Sequence, residues 1–402
     1  MPLGYLLQKA AFVWTGDSRW AGRLPSALGS LLGCVGVFQL GRRLPLRFPL
    51  VTVLLFAVSP LQLRYALEAR PYSLALALSI WAGVLFLDLL AKPTFVRAFP
   101  YGCLVLAGLY TQPYSVFVPL AHLTWLICFR RQLTRQVFLV TGALTFAISG
   151  FLPWYAWANH IWTSSLTQAP QSSGISPQTG LLILRELSGA GYPGTVLLLG
   201  YARLGWYKGF RFRPDRYLWA LVLILPIVLA LLVDRQFGYF FAIRQIIFVL
   251  PPLALLAAWG IETHAQHRSR EAPLGGALLL LILLIGDVRF FRKPRESWEG
   301  AAQILRTLTK QGSCIIFVPT DSEPLYSFFA PELNHHACTD QGQYSTGIAM
   351  AVSPYGVPSF RALQKQLTES GYRKQTEYNP QGPRVEWYRR ELYRTGSSSI
   401  SH

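Results

Sequence analysis

Long apolar stretches alternate with short polar connectors over the first three quarters of the chain. Ten of these stretches have the composition typical of membrane-spanning helices. They cover residues 24–41, 49–63, 72–91, 98–111, 113–129, 137–158, 192–204, 217–233, 245–261 and 274–290. The stretches 219–233 and 274–286 have no polar face at all, whereas a helix of a soluble protein normally keeps one. The pattern predicts an all-α polytopic membrane protein with about ten transmembrane helices.

The pattern changes after Phe291. Residues 292–308 place apolar side chains at helical spacing, and SCIIFVP at 313–319 has the character of a short buried strand. We therefore expect a small extracytoplasmic α/β domain at the C-terminal end. The predicted organisation is an extracytoplasmic or interfacial segment at 1–23, a transmembrane helical domain at 24–290, an extracytoplasmic α/β tail domain at 291–395 and a disordered end at 396–402.

The charge distribution assigns an orientation to the predicted spans. The net charge of +18 would suit a nucleic-acid partner, but the basic residues lie in connectors between apolar stretches. With the N-terminal segment outside, the inner connectors carry fifteen Lys and Arg residues and the outer ones eight. The positive-inside rule favours this orientation and excludes a nucleic-acid interpretation. The sequence thus predicts a multi-pass protein of the inner or plasma membrane, with its C-terminal domain extracytoplasmic.

The five cysteines indicate no metal or redox motif, since no CxxC spacing occurs. Cys34, Cys103 and Cys128 lie in apolar stretches and are expected to be small buried hydrophobic side chains. Cys314 and Cys338 lie in the polar tail and can form a disulfide if that tail faces an oxidising compartment. We predict no metal ligands from the sequence.

One charged cluster lies between the second and the third apolar stretch. In LRYALEARPYSLALAL, Glu68 stands between Arg64 and Arg70. A structural interpretation is an ion pair of Glu68 with Arg70 that caps the helix beginning at Pro71. A functional interpretation is an acid with guanidinium groups that face a phosphorylated ligand at the lipid–water boundary. The sequence alone leaves both open.

Further candidates lie in other connectors that the orientation places outside. Gln112 and Tyr114 flank Pro113, which can simply open a helix. Arg244 begins an apolar stretch, where it either extends its charge to the interface or binds phosphate. The chain has no nucleophile elbow, P-loop, Rossmann glycine pattern or HExxH motif, so the soluble enzyme classes that use them receive no support.

Several motifs occur in an order that is similar to a known family. They are GDSRWAGRLPSALGSLLGCVGVFQLGRRL, VSPLQLRYALEARPYSLALALSIW, GLYTQPYSVF and FAIRQIIFVLPPLALLAAWG. Over roughly residues 2–330 the chain resembles bacterial membrane glycosyltransferases related to protein mannosyltransferases. These are GT-C enzymes of the family 39 type, which take sugars from polyprenyl-phosphate donors.

The resemblance gives the candidate residues roles. Glu68 matches the acid of the family's QEAR motif, although Leu67 replaces the Gln, and it is the expected catalytic residue. Gln112 stands where the family usually has His. The expected substrate-binding residues are Arg64, Arg70, Tyr72, Gln112, Tyr114 and Arg244. The resemblance establishes no cofactor, but it leaves open that a divalent metal ion is used.

The resemblance also implies a difference at the N-terminus. Family members begin with a transmembrane helix and an outer loop with an Asp-Glu pair, both of which precede the segment that Met1 matches. We therefore expect an N-terminally incomplete chain, either with a mis-called start or as a degenerate copy, and the sequence leaves open whether the chain as given is active without that acid.

The predicted function is transfer of a sugar from a polyprenyl-phosphate donor to an extracytoplasmic lipid, glycan or protein. The expected partners are the polyprenyl-phosphate-linked sugar, membrane lipids and this unidentified acceptor. The alternatives are a transporter or flippase of lipid-linked sugar and a catalytically dead membrane subunit.

Overall fold

The structure of the chain is a computed structural model. It describes residues 2–16, 18–44, 46–130, 134–165, 177–209, 215–237, 242–267, 271–292, 297–338, 347–353, 357–378 and 383–390. The chain divides into two compact units, Met1–Phe291 and Arg292–His402. The end at 396–402, which the sequence predicts to be disordered, lies outside the described residues.

The first unit is built from helices. They are α1 Pro2–Thr15, α2 Ser18–Arg43, α3 Pro49–Ala57, α4 Pro60–Leu67, α5 Tyr72–Ala91, α6 Phe95–Thr111, α7 Phe117–Phe129, α8 Thr134–Ser165, α9 Pro177–Glu186, α10 Gly191–Leu204, α11 Asp215–Phe237, α12 Leu250–His267 and α13 Glu271–Arg292. Two short 3-10 helices, Pro113–Val116 and Ile243–Val249, directly precede α7 and α12. Each of the ten predicted apolar stretches falls within a helix or a consecutive helix pair.

Six helices in the described residues are long and apolar enough to cross a membrane. They contain Trp20–Arg43, Tyr72–Ala91, Thr134–His160, Tyr217–Gln236, Ile243–Gln266 and Leu274–Arg292. The pair α3 and α4, bent by 59°, adds a seventh if it forms one broken span. The chain is therefore a multi-pass membrane protein. The remaining predicted spans correspond to helices that are shorter than the roughly 20 residues a bilayer needs.

The bend between α3 and α4 follows from Ser59 and Pro60. A proline disfavours helical backbone in the residue before it, and Ser59 is extended at φ −73° and ψ 120°. Gly189, which has a positive φ of 74°, packs against the start of α4 at this break. A Cβ at Gly189 would lie 2.5 Å from the backbone nitrogen of Leu61, so only glycine allows this approach.

The second unit is the predicted α/β domain. Its helices are α14 Trp298–Lys310, α15 Glu323–Ser327 and α16 Val357–Glu369, and its strands are β1 Ser313–Val318, β2 Gly347–Val352, β3 Tyr372–Tyr378 and β4 Arg384–Arg390. The sheet order is β1-β2-β4-β3, in which β1 and β2 run parallel and the other pairs antiparallel. The predicted amphipathic helix and buried strand are confirmed as α14 and β1.

A disulfide joins Cys314 in β1 to Cys338, which confirms that these two cysteines can pair. The backbone N–H of Cys338 also donates to the carbonyl of Ile315. Both bonds attach the segment before Cys338 to the edge strand β1. An exposed strand edge would otherwise present unpaired backbone groups.

Candidate active site

The charged cluster lies in the turn between α4 and α5, which we define as residues Glu68–Pro71. Helix α4 ends because Glu68 takes an extended conformation, with φ −81° and ψ 141°. Pro71 then occupies the N-cap of α5. Since a residue before proline is disfavoured in helical backbone, Arg70 cannot join the two helices smoothly. The four residues therefore project between two helix ends.

Glu68 forms its ion pair with Arg64, and not with Arg70 as the structural interpretation of the sequence assumed. The Arg64 Nε donates to Glu68 Oε1 at 3.3 Å, at the i,i+4 spacing that places both side chains on one helix face. Their side chains are 46% and 33% exposed. Such half-exposed pairs contribute at most about 1 kcal/mol to stability. Structural stabilisation is thus a weak reason for this charge pair.

Two tyrosines link the turn to a distant arginine. The rings of Tyr65 and Tyr72 pack edge to face with centroids 5.2 Å apart. The Arg64 guanidinium lies 5.8 Å from the Tyr65 ring centroid, and that of Arg244 lies 6.0 Å from the Tyr72 ring centroid. Both distances suit a cation–π contact. We call these four residues with Glu68 the arginine–tyrosine cluster.

Arg244 reaches the cluster because of the 3-10 helix Ile243–Val249. The side chain of Gln245 caps this helix, where its Oε1 accepts from the backbone N–H of Ala242 at 3.1 Å. The 3-10 helix contacts α5 and also the other 3-10 helix, Pro113–Val116. Three separate stretches of sequence thereby converge at the start of α5.

Gln112 and Tyr114 belong to the second of these stretches. Gln112 is 2% exposed, and its side-chain oxygen Oε1 has no hydrogen-bond partner among the described residues. The same holds for the hydroxyls of Ser115 and Ser73, both buried. Buried polar atoms normally have a partner, so this set suits hydrogen bonds to a polar ligand. Tyr114 packs edge to face on Phe117 at 5.4 Å between centroids.

Arg70 is exposed, and its carbonyl oxygen accepts a 2.6 Å hydrogen bond from Ser26 Oγ. The Ala69 carbonyl accepts from Gln8 Nε2 at 3.1 Å. The sequence did not single out Gln8 or Ser26. No local pattern marks either residue, because their partners lie 61 and 44 positions away along the chain.

The cluster does not fit a divalent metal. A divalent cation bound by protein takes several carboxylate, carbonyl or imidazole ligands. No group of three His, Cys, Asp or Glu residues that could hold an ion occurs in the part of the chain that the structure describes. The one carboxylate of the cluster already faces Arg64. We derive no chemical step through a metal.

The fold is shared with a protein of known crystal structure. The crystal structure of ArnT from Cupriavidus metallidurans in the apo state matches with a TM-score of 0.57 and 14% identity, over 96% of this chain and 87% of that one. The same protein bound to undecaprenyl phosphate matches with a TM-score of 0.56 and 13% identity, over the same shares. At these identities the likeness establishes the fold. No curated protein matches the chain by sequence.

A family model matches the N-terminal part of the chain, which is less than half of its length. Residues 1–157 match the family described as dolichyl-phosphate-mannose-protein mannosyltransferase. This part of the chain contains α1 to α7 and most of α8, and with them the whole Glu68–Pro71 turn. Arg244 lies beyond the matched residues.

Proposed function

We propose that the chain transfers a sugar from a polyprenyl-phosphate donor to an acceptor hydroxyl or amine on the extracytoplasmic face of the inner or plasma membrane. The observation that carries the proposal is the arginine–tyrosine cluster. It presents an acid and two guanidinium groups at a turn between membrane helices. Ionisable side chains that interrupt membrane-spanning stretches are costly and are kept mainly for function.

The guanidinium groups suit the phosphate of the donor. Arg64 and Arg244 flank the Tyr65–Tyr72 pair, and Arg70 extends from the same turn. Arginine can donate two parallel hydrogen bonds to a phosphate and stays charged at every physiological pH. During transfer the bond between the sugar's anomeric carbon and the phosphate oxygen breaks, and polyprenyl phosphate leaves with an added negative charge. Preorganised cations stabilise that developing charge.

Glu68 is the group in the cluster that can act on the acceptor. Arg64 donates to its Oε1, and we assign the second carboxylate oxygen, Oε2, to the acceptor. Oε2 accepts a hydrogen bond from the attacking hydroxyl or amine of the acceptor and takes up the proton of that group. This orients the lone pair of the attacking atom towards the anomeric carbon of the sugar. The unpartnered oxygens of Gln112, Ser73 and Ser115 suit the sugar's hydroxyl groups.

The orientation supports the extracytoplasmic location. The excess of basic residues in alternate connectors favours an outward-facing Glu68–Pro71 turn. The Cys314–Cys338 disulfide in the second unit is of a kind that persists in oxidising compartments. ArnT, which shares this fold, is known in a structure with undecaprenyl phosphate. A membrane-bound polyprenyl-phosphate-linked sugar is accordingly the donor class that we assign.

The proposal is tested by transfer assays with the purified chain in proteoliposomes, radiolabelled polyprenyl-phosphate sugars and extracted envelope lipids and glycans. We expect transfer by the wild type and a loss of about 100-fold or more in Glu68→Gln. Glu369→Gln is the matched control, because Glu369 also forms an exposed i,i+4 pair, at 3.8 Å from Lys365. It should retain full activity.

Two outcomes would contradict this function. Equal transfer by Glu68→Gln and the wild type would remove Glu68 from the reaction. Absence of transfer by the wild type, together with movement of the labelled lipid between leaflets, would instead indicate a transporter of lipid-linked sugar.

A further inference from the structure

The turn that carries Glu68 and Arg70 is held by side chains from two other helices. Gln8 in α1 donates through Nε2 to the carbonyl of Ala69 and to that of Gly22 in α2, each at 3.1 Å. Ser26 in α2 donates through Oγ to the carbonyl of Arg70 at 2.6 Å and is 1% exposed. Two consecutive carbonyl oxygens of the turn are thus bonded from outside it.

Close backbone approach makes these bonds achievable. A Cβ at Gly4 of α1 would lie 2.5 Å from the Cβ of Pro71, and one at Gly22 would lie 3.2 Å from the Cβ of Ala69. Both helices therefore rest directly against the turn. At this separation a Gln side chain from α1 and a Ser side chain from α2 reach the carbonyl groups without intervening water.

The bonds constrain the backbone of the turn and do not involve the side chains of Glu68 and Arg70. Glu68 lies outside the helical hydrogen-bond pattern, with extended backbone after the end of α4. Bonds to the carbonyls of Ala69 and Arg70 fix the orientation of the peptide planes that follow it. The side chains of Glu68 and Arg70 remain half-buried and exposed, respectively. Small errors in the placement of reacting groups cost large factors in rate, so such fixation has a chemical consequence.

We propose that Gln8 and Ser26 are positioning residues, which hold the Glu68–Pro71 turn in the geometry that sugar transfer requires. The inference rests on the proposed function of Glu68, to which it adds two residues that contact neither donor nor acceptor. Their partners are backbone carbonyls, so they act through the turn. Helix α1, which exposes Phe12, Val13 and Trp14, is thereby part of the catalytic framework.

The test compares Ser26→Ala, Ser26→Thr and Gln8→Leu in the full chain, with Ser30→Ala as the matched control. Ser30 lies one helical turn after Ser26, and its hydroxyl accepts at the same 2.6 Å from Nε2 of Gln62, which lies in α4 and outside the Glu68–Pro71 turn. Hydrogen–deuterium exchange in nanodiscs measures the backbone protection of the turn, and this measurement needs no substrate. Steady-state kinetics with the polyprenyl-phosphate sugar report kcat and KM for the donor.

We expect the exchange rate of the backbone amides in residues 68–72 to rise about fivefold in Ser26→Ala and Gln8→Leu. This is the size of effect expected when one buried hydrogen bond is lost. The kcat should fall about tenfold with a smaller change in KM, because Glu68 is displaced from its reacting position. Ser26→Thr keeps the hydroxyl and should restore both measurements. Ser30→Ala should match the wild type in both.

Raised exchange with unchanged kcat would overturn the positioning role, since the turn would then be held for stability alone. Unchanged exchange would overturn it as well, because the bonds would not be holding the turn. Equal losses of activity in Ser30→Ala and Ser26→Ala would also overturn the positioning role, because any lost buried hydrogen bond of α2 would then have the same effect. If the wild type transfers no sugar, the proposed function fails together with the positioning role, whereas the exchange arm still decides whether the two side chains hold the turn.

Discussion

Arg244 contacts the cluster through an aromatic ring, which leaves the edge of its guanidinium group available to a phosphate. Its Cζ lies 6.0 Å from the centroid of Tyr72, and its side chain is half-buried. We predict that Arg244→Gln raises KM for the polyprenyl-phosphate sugar about tenfold or more, because a charge-assisted bond to phosphate is lost. Arg244→Lys should show a smaller increase, since an ammonium group keeps the charge but not the two-pronged geometry.

Arg42 provides the control for this prediction. Its Cζ lies 5.9 Å from the Phe38 ring centroid at the end of α2, which the orientation that we predict from charge would put on the cytoplasmic side. Arg42→Gln thus removes the same kind of contact far from the proposed donor site. Donor titrations in which both variants change KM equally would contradict a phosphate-binding role for Arg244.

The residues of the cluster differ in how far sequence could predict them. Arg64, Glu68 and Tyr72 are neighbours along the chain, and the charges of Arg64 and Glu68 interrupt an apolar pattern, so the local sequence identifies this segment as a candidate site. The partner of Glu68 was predicted wrongly in the structural interpretation, because the end of α4 keeps Arg64 on the face of Glu68. The contact of Arg244 with Tyr72 depends on tertiary packing of distant helices, which no local spacing encodes.

Helices α10 and α12 pack with almost no space between their backbones. A Cβ at Gly260 in α12 would collide with the carbonyl oxygen of Tyr201 in α10. Small residues allow such close contact between membrane helices. We predict that Gly260→Ala lowers the midpoint of thermal denaturation in detergent by several degrees, as for an overpacked core. Gly200→Ala, where a Cβ meets nothing within 4 Å, should leave the midpoint unchanged or slightly raised. Equal midpoints for both variants would contradict this packing.

Strands β3 and β4 share an ion network around the buried carboxylate of Glu386. Lys374 donates to Glu386 Oε1 at 2.8 Å and to Glu377 Oε2 at 2.5 Å, and Tyr388 donates to Glu386 Oε2 at 2.5 Å. Removing one partner of a buried charge is costly. We predict that Lys374→Met lowers the free energy of opening of β3 and β4 by about 2 kcal/mol, measured by hydrogen exchange in the full chain. Lys365→Met removes a surface pair and should change it by less than about 0.5 kcal/mol.

This network also predicts a dependence on pH. The hydrogen bond from Lys374 lowers the pKa of Glu377 below its ordinary value of 4.5. A lowered pKa in the folded state stabilises that state above pH 4.5, and the contribution is lost as the pH falls through the lowered value. The opening free energy of the sheet should therefore decline on acidification below pH 4.5, and less steeply in Lys374→Met. Parallel declines in the two proteins would show that Lys374 is not the cause.

The element pattern of the membrane unit could be predicted well, because apolar composition dominates the folding of a chain in lipid. Sequence could not settle how many helices cross the membrane. The stretch 98–111 is helical but short, and α3 and α4 divide at Ser59–Pro60 within one apolar stretch. Pro60 indicates that division locally, but the close approach of the Gly189 backbone to Leu61 at this point joins residues far apart along the chain. Contacts of this kind follow from the tertiary structure and leave no periodic signal.

The cysteines of the whole chain offer a direct measurement of its orientation. Cys128 is free and exposed at the end of α7, next to an arginine-rich connector, whereas Cys314 and Cys338 are bonded in the second unit. In right-side-out membrane vesicles, an impermeant maleimide should label Cys314 and Cys338 only after an impermeant phosphine has reduced them. In inverted vesicles it should label Cys128 without reduction, and Cys128→Ser should abolish that signal. Peptide mass mapping identifies the labelled residues. Labelling of Cys128 in right-side-out vesicles would reverse the assigned orientation, and would move the Glu68–Pro71 turn away from extracytoplasmic acceptors.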